Sequence, residues 1–245
     1  ILFCLFQLLL IAKYNAQHYN FKGISVEEGL PRSGAYSLLQ DSKGYLWITL
    51  DGGGVARYDG QHFKTIDLSN GLPSRKVRAI FEDSKNTLWF GTTQGLCKYE
   101  KGHIKVFTSK NGLPHNYIRA ISEDKNGHLI IGTNKGIASY DGTTFTTLNN
   151  ETDSTFNSKI RTIHTAKNNI TYVGSEEGLY HIKDKKIILS ELTHLLPNET
   201  VLSIQDDSKG NLWIGTEQGV IAYHNDSVTL YNQEKGLISN RVRAI

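Results

Sequence analysis

At 245 residues, the chain is long enough for one large domain. Its 38% hydrophobic and 21% charged residues exclude a disordered or fibrous polymer. The 27 basic and 24 acidic residues leave a net charge of +3 and are dispersed without a run of like charge, which argues against a nucleic-acid partner.

The first segment, Ile1 to Ala12, is apolar apart from Gln7 and is followed by Lys13 and a short polar stretch ending Asn15-Ala16-Gln17. It is too short to span a bilayer and has the character of the apolar region of a secretory signal. Residues 1–17 are therefore expected to be a signal peptide lacking its start, cleaved after Ala16, with the mature protein exported. Cys4 stands inside the apolar run, not after it, which argues against a lipoprotein. Cys97 occupies a position held by Ala56, Ala138, Tyr180 and Ile221 elsewhere and is expected to pack as a small apolar residue.

From residue 18 to 245 the chain repeats itself at a period of about 41 residues. Gly29-Leu30-Pro31, Gly71-Leu72-Pro73 and Gly112-Leu113-Pro114 mark successive units, followed by Leu196-Pro197 and Gly236-Leu237-Ile238. Leu46-Trp47-Ile48, Leu88-Trp89-Phe90, Leu129-Ile130-Ile131, Thr171-Tyr172-Val173 and Leu212-Trp213-Ile214 recur within the units. Each unit holds four short β-type segments; in the second they are Val77 to Glu82, Thr87 to Gly91, Gly95 to Tyr99 and Ile104 to Phe107. Turn clusters such as Asp83-Ser84-Lys85-Asn86 separate them.

Four strands joined by tight turns form an antiparallel meander that must bury its faces against neighbours. The expected fold is all-β: a partial β-propeller of five complete four-stranded blades. Before them, Phe21 to Val26 aligns with the outermost strand Phe63 to Leu68, an orphan fourth strand. After them, the chain enters the first strand of a sixth unit at Ile245. The aromatic and aliphatic residues of each second strand are expected to pack between blades.

The nine His residues show no paired metal-ligand spacing, and no nucleophile elbow, phosphate-binding glycine loop or zinc-protease motif is present. Gly52-Gly53-Gly54 reads as a turn. The repeated Asp-Ser-Lys-Gly turn is similar to that of sialidase propellers, but its recurrence suits a hairpin device better than a catalytic residue. No catalytic residue, metal or cofactor is assigned. One feature exceeds scaffold needs: Arg78, Arg119, Arg161 and Arg243 hold the same place just inside the first strand, with Tyr36 and Leu202 there in the other units. First strands line a propeller's channel, so these arginines are candidate ligand-binding residues for carboxylate or sulfate groups, as in an anionic saccharide. The competing reading pairs each with an Asp or Glu of an adjacent blade.

The string Gly71-Leu72-Pro73, Val77-Arg78-Ala79-Ile80-Phe81-Glu82-Asp83-Ser84, Leu88-Trp89-Phe90-Gly91-Thr92, Gly95-Leu96 and Tyr99 resembles the two-component regulator propeller repeat. The resemblance covers residues 19 to 245. It is sharp in three units, looser in the first, where Gly52-Gly53-Gly54 adds a residue, and weakest in the fourth. It implies the periplasmic sensor region of a hybrid two-component histidine kinase of Bacteroidetes type. Such a sensor is homodimeric, non-enzymatic in this region, and anchored by a membrane helix further downstream. A secreted propeller enzyme, such as a lyase or glycosidase, and a ligand-free interaction scaffold are the alternatives.

Overall fold

The structure, a computed structural model, describes residues 23–152 and 154–245. The signal peptide expected at residues 1–17 lies outside them. Five antiparallel sheets follow one another along the chain. The first contains β1 (Ala35–Gln40), β2 (Leu46–Leu50), β3 (Gly54–Tyr58) and β4 (Phe63–Ile66); the second contains β5 (Val77–Glu82), β6 (Leu88–Thr92), β7 (Gly95–Glu100) and β8 (His103–Phe107). The third contains β9 (Ile118–Glu123), β10 (Leu129–Thr133), β11 (Ile137–Tyr140) and β12 (Phe145–Thr147). A two-residue strand, β13 (Asn149–Asn150), precedes the fourth, formed by β14 (Ile160–Thr165), β15 (Thr171–Ser175), β16 (Leu179–Lys183) and β17 (Lys186–Leu189). The fifth contains β18 (Val201–Asp206), β19 (Leu212–Thr216), β20 (Gly219–His224) and β21 (Ser227–Tyr231). In every sheet the four main strands form an antiparallel meander in chain order, as expected of propeller blades.

The hydrophobic core lies between blades. Trp47, Val55 and Ile66 of the first blade pack with Val77, Leu88 and Phe90 of the second, and Trp89 and Leu96 of the second with Ile118, Leu129 and Ile131 of the third. Two more clusters join the third blade to the fourth and the fourth to the fifth. The close approach explains the glycine in the second strand. A Cβ on Gly132 would lie 2.4 Å from Ile160 Cγ2 of the next blade, and one on Gly91 would lie 2.8 Å from Ile118 Cγ2.

The turn between first and second strands is built on one aspartate. Asp41 Oδ1 accepts the Lys43 and Tyr45 N–H groups at 3.0 and 2.9 Å, while Oδ2 accepts the Trp47 indole N–H at 2.7 Å. Asp83 with Trp89 and Asp207 with Trp213 repeat the arrangement at 2.8 and 3.1 Å. The same turn latches neighbouring blades. Ser42 donates its N–H and hydroxyl to Glu82 at 2.7 and 2.8 Å, and Ser84 does the same to Glu123 at 2.8 and 2.7 Å. Between the fourth and fifth blades, Asp206 takes this role, with His164 Nε2 at 2.6 Å and the Lys167 N–H at 3.1 Å.

The Gly-Leu-Pro signature has a local cause. Each fourth strand of the first two blades runs into a single 3-10 turn with a capping box, Asp67 with Asn70 and Thr108 with Asn111. Gly71 and Gly112 then cap it in the left-handed region at φ 97° and 105°, which disfavours a side chain. The following Leu72 and Leu113 are buried in the inter-blade core. Where the fourth unit lacks the signature, Phe156 is buried in the core instead.

Three details differ from expectation. β13 adds to the outer edge of the fourth blade, pairing parallel with β17, so that sheet has five strands. Gly23 to Ser25, the described part of the expected orphan strand, is unpaired and leads into the turn Val26–Gly29, because no described strand lies beside it. Residues 241–245 are likewise irregular, although the Val242 N–H is bonded to the Thr216 carbonyl at 3.0 Å.

Candidate functional site

The first strands of successive blades lie side by side, β1 against β5, β5 against β9, β9 against β14 and β14 against β18. Near its start each carries a β-bulge. Val77 pairs with Thr92 and Ala79 with Gly91, leaving Arg78 as the extra residue. Arg119 stands between Ile118 and Ala120 in the same way, and Arg161 between Ile160 and Thr162. Tyr36 and Leu202 occupy the corresponding bulges of the first and fifth blades. A bulged residue leaves the alternation of the strand, so its side chain is aimed independently of its neighbours. Sequence alignment shows the shared position, but an unpaired residue becomes visible only once the partner register is known.

The arginines are held by aromatic and polar neighbours. The Arg78 guanidinium lies over the Tyr36 ring at 3.8 Å, and Tyr36 is itself fixed by its hydroxyl, which donates to Asp51 at 3.0 Å. The Arg119 guanidinium lies over the Tyr117 ring at 4.6 Å, and its Nε donates to Asn134 Oδ1. Arg161 pairs with Glu176, which also takes Lys159 Nζ at 2.8 Å. The Nε groups of Arg78 and Arg161 are buried without a hydrogen-bond partner. Burial holds the Arg119 pKa below its ordinary value, and the charges of Arg161 and Arg78 push the same way. Although burial pushes it up, Lys159 and Arg161 hold the Glu176 carboxyl below the usual carboxylate range.

The structure thus brings Arg78, Arg119 and Arg161 into one row across three blades. Arg243 is exposed in the irregular segment after the fifth blade, and among the described residues no hydrogen bond or ion pair joins it to the other three. Glu176 pairs with Arg161 of its own blade, and its charge also acts on Arg119 of the preceding blade, while Arg78 and Arg119 enter no ion pair among the described residues. Tyr117, Asn134 and Lys159 complete the row and were not legible as site residues: Tyr117 and Asn134 have no repeated counterpart of their own type, and Lys159, whose counterpart is Lys76, gains its place only through Glu176.

The connections at this end of the sheets give the face a polarity. Those of the first three blades are nearly balanced, with Arg32, Arg75, Lys76, Lys110 and Lys135 against Glu27, Glu28, Asp51 and Asp67. Those of the fourth and fifth carry Glu176, Glu177, Glu199 and Glu217. Arg78 and Arg119 thus stand on the less acidic side of this face.

Among the described residues, no cluster of His, Cys, Asp and Glu is placed to hold a metal ion, and no helix is long and apolar enough to cross a membrane. The model of the family described as two component regulator propeller matches residues 71–94, 112–135 and 195–218. The chain carries two-component regulator propeller repeats. The matched two-component regulator propeller segments fall in the second, third and fifth blades.

Solved structures share the propeller fold. Two are extracellular domains assigned to hybrid two component systems of B. thetaiotaomicron, each 22% identical, with TM-scores of 0.54 and 0.62. They are covered over 36% of their length by 86% and 88% of this chain. The chain thus spans about a third of these structures. Virginiamycin B lyase of Staphylococcus aureus, in a complex with quinupristin, is 17% identical with a TM-score of 0.66, over 81% of this chain and 70% of the lyase. At these identities the likeness is one of fold. A search of curated proteins finds no match.

Proposed function

We propose that this propeller is the periplasmic ligand-sensing region of a hybrid two-component sensor histidine kinase, and that it binds an anionic saccharide over Arg78 and Arg119. The observation that carries the reading is the row of bulged arginines, with Arg78 stacked on Tyr36 and Arg119 on Tyr117 and neither of these two in an ion pair among the described residues, in a chain of two-component regulator repeats. A sulfate or uronate group would satisfy guanidinium N–H groups bidentately and relieve the mutual repulsion of the row. Sugar rings would find Tyr36 and Tyr117 alongside. The role is binding and relay, not turnover, because the carboxylate paired with the row, Glu176, is held by Lys159 and Arg161.

In this reading the full-length protein is a homodimer anchored by a membrane helix downstream of the propeller. The blades are rigid, with cores between them, so ligand binding acts through altered packing of the two propellers and not through unfolding of a blade. The gene beyond the codon for Ile245 tests the assignment directly. Further propeller repeats, a membrane helix and a kinase core are expected. A stop codon directly after a closing blade would contradict it and favour a secreted enzyme or scaffold.

A further inference from the structure

The opposite end of the sheets, where first and second strands meet in hairpins, holds a separate feature. At the interface of the first and second blades, Trp47 lies 5.6 Å from Tyr99 and 5.8 Å from Phe90. At the next interface Trp89 lies 5.9 Å from Tyr140, and between the fourth and fifth blades Tyr172 and Tyr223 share one cluster. Strand register identifies the equivalents at the interface of the third and fourth blades. Ile130 pairs with Ser139 as Trp89 pairs with Lys98, and Ile182 pairs with Thr171 as Tyr99 pairs with Leu88. Both aromatic rings are therefore replaced by isoleucine at this one interface.

A cleft of about 580 Å³ opens there, lined by Ile130 and Ile182 together with Asp124, His128, Ser139 and His181. Its volume suits a small-molecule site, for which about 300–1,000 Å³ is usual. Asp124 keeps the turn geometry of its counterparts, with Oδ1 accepting the Asn126 and His128 N–H groups at 2.8 and 2.9 Å. In the tryptophan blades the other oxygen takes the indole N–H at 2.7 to 3.1 Å. Here Asp124 Oδ2 has only long contacts, 3.4 Å to Asn126 Nδ2 and 3.4 Å to His128 Nδ1. The cleft has the apolar walls and the acceptor of an indole site without the indole.

We propose that this cleft binds a small planar aromatic ligand carrying an N–H donor, which occupies the place of the missing tryptophan ring and donates to Asp124. The site is independent of the arginine row, which lies at the other end of the blades, so either can fail without the other. Indole is the probe. Saturation-transfer NMR on the whole chain should detect indole bound to the wild type, and 1-methylindole, which has no donor, should bind about tenfold more weakly, the effect of losing ~1.4 kcal/mol. Ile130→Trp restores the ring found in the sister blades and should abolish indole binding, as should Ile182→Tyr, which fills the cleft from the other wall. Circular dichroism checks that each variant folds, and the two are independent should one fail. No indole signal with the wild type, or equal affinity in the folded variants, would overturn the site; equal affinity for 1-methylindole would overturn the role of Asp124.

Discussion

Gly132 has a reason that only the tertiary structure supplies. It stands in the repeated second strand where a turn-forming glycine has no place, and only the neighbouring blade explains it: the Ile160 side chain occupies the space a Cβ would need. Gly132→Ala is therefore expected to destabilise the fold by about 1–3 kcal/mol, the usual cost of overpacking a core, as measured by denaturant unfolding. Gly91, Gly174 and Gly215 meet their neighbours as closely at the same position, so the constraint belongs to the repeat, and the first blade departs from it with the fully buried Thr49. The arginines, by contrast, were legible in the sequence. Their identity recurs at a fixed offset, which sequence alignment detects, whereas their partners Tyr117 and Asn134 come from loops and were not.

At the scale of elements, the second blade was almost fully legible: Val77 to Glu82 forms one strand as expected, and the other three strands shift by a residue at their ends. The reason is that alternation, turn residues and tertiary packing agree in that unit. β13 was not legible because it gains its pairing from the edge of a different blade, with no alternation of its own. The inter-blade latches were also hidden, since their partners lie about 40 residues apart and change identity from Ser and Glu to Lys167, His164 and Asp206. The last latch has a pH signature. Although burial pushes it up, the hydrogen bonds from His164 and Lys167 hold the Asp206 carboxyl below the usual carboxylate range. A lowered folded pKa means that the unfolded chain binds the proton more readily, so the contribution is complete above an ordinary carboxylate pKa of about 4 and fades as the pH falls through the folded value. Asp206→Asn should be less stable than the wild type at neutral pH, with the gap closing in acid. A constant gap in urea melts from pH 7 down to pH 3 would contradict this.

For the whole molecule, the repeat period and the blade meander were legible because a propeller writes the same instruction into every unit. The two proposed sites lie at opposite ends of the blades: the bulged arginines, whose shared position the sequence shows, at one, and the ring-less third interface, which only the strand register reveals, at the other. The central claim is that the arginine row receives an anion. Isothermal titration of a sulfated oligosaccharide and its desulfated form, against the wild type and the Arg78→Ala/Arg119→Ala variant, tests it most directly. The wild type should bind the sulfated form, removing sulfate should weaken binding by about tenfold or more, and the double variant should lose the difference, since each charge-assisted hydrogen bond contributes about 1.5–3 kcal/mol. Equal affinity of the folded double variant and the wild type for the sulfated ligand would contradict it.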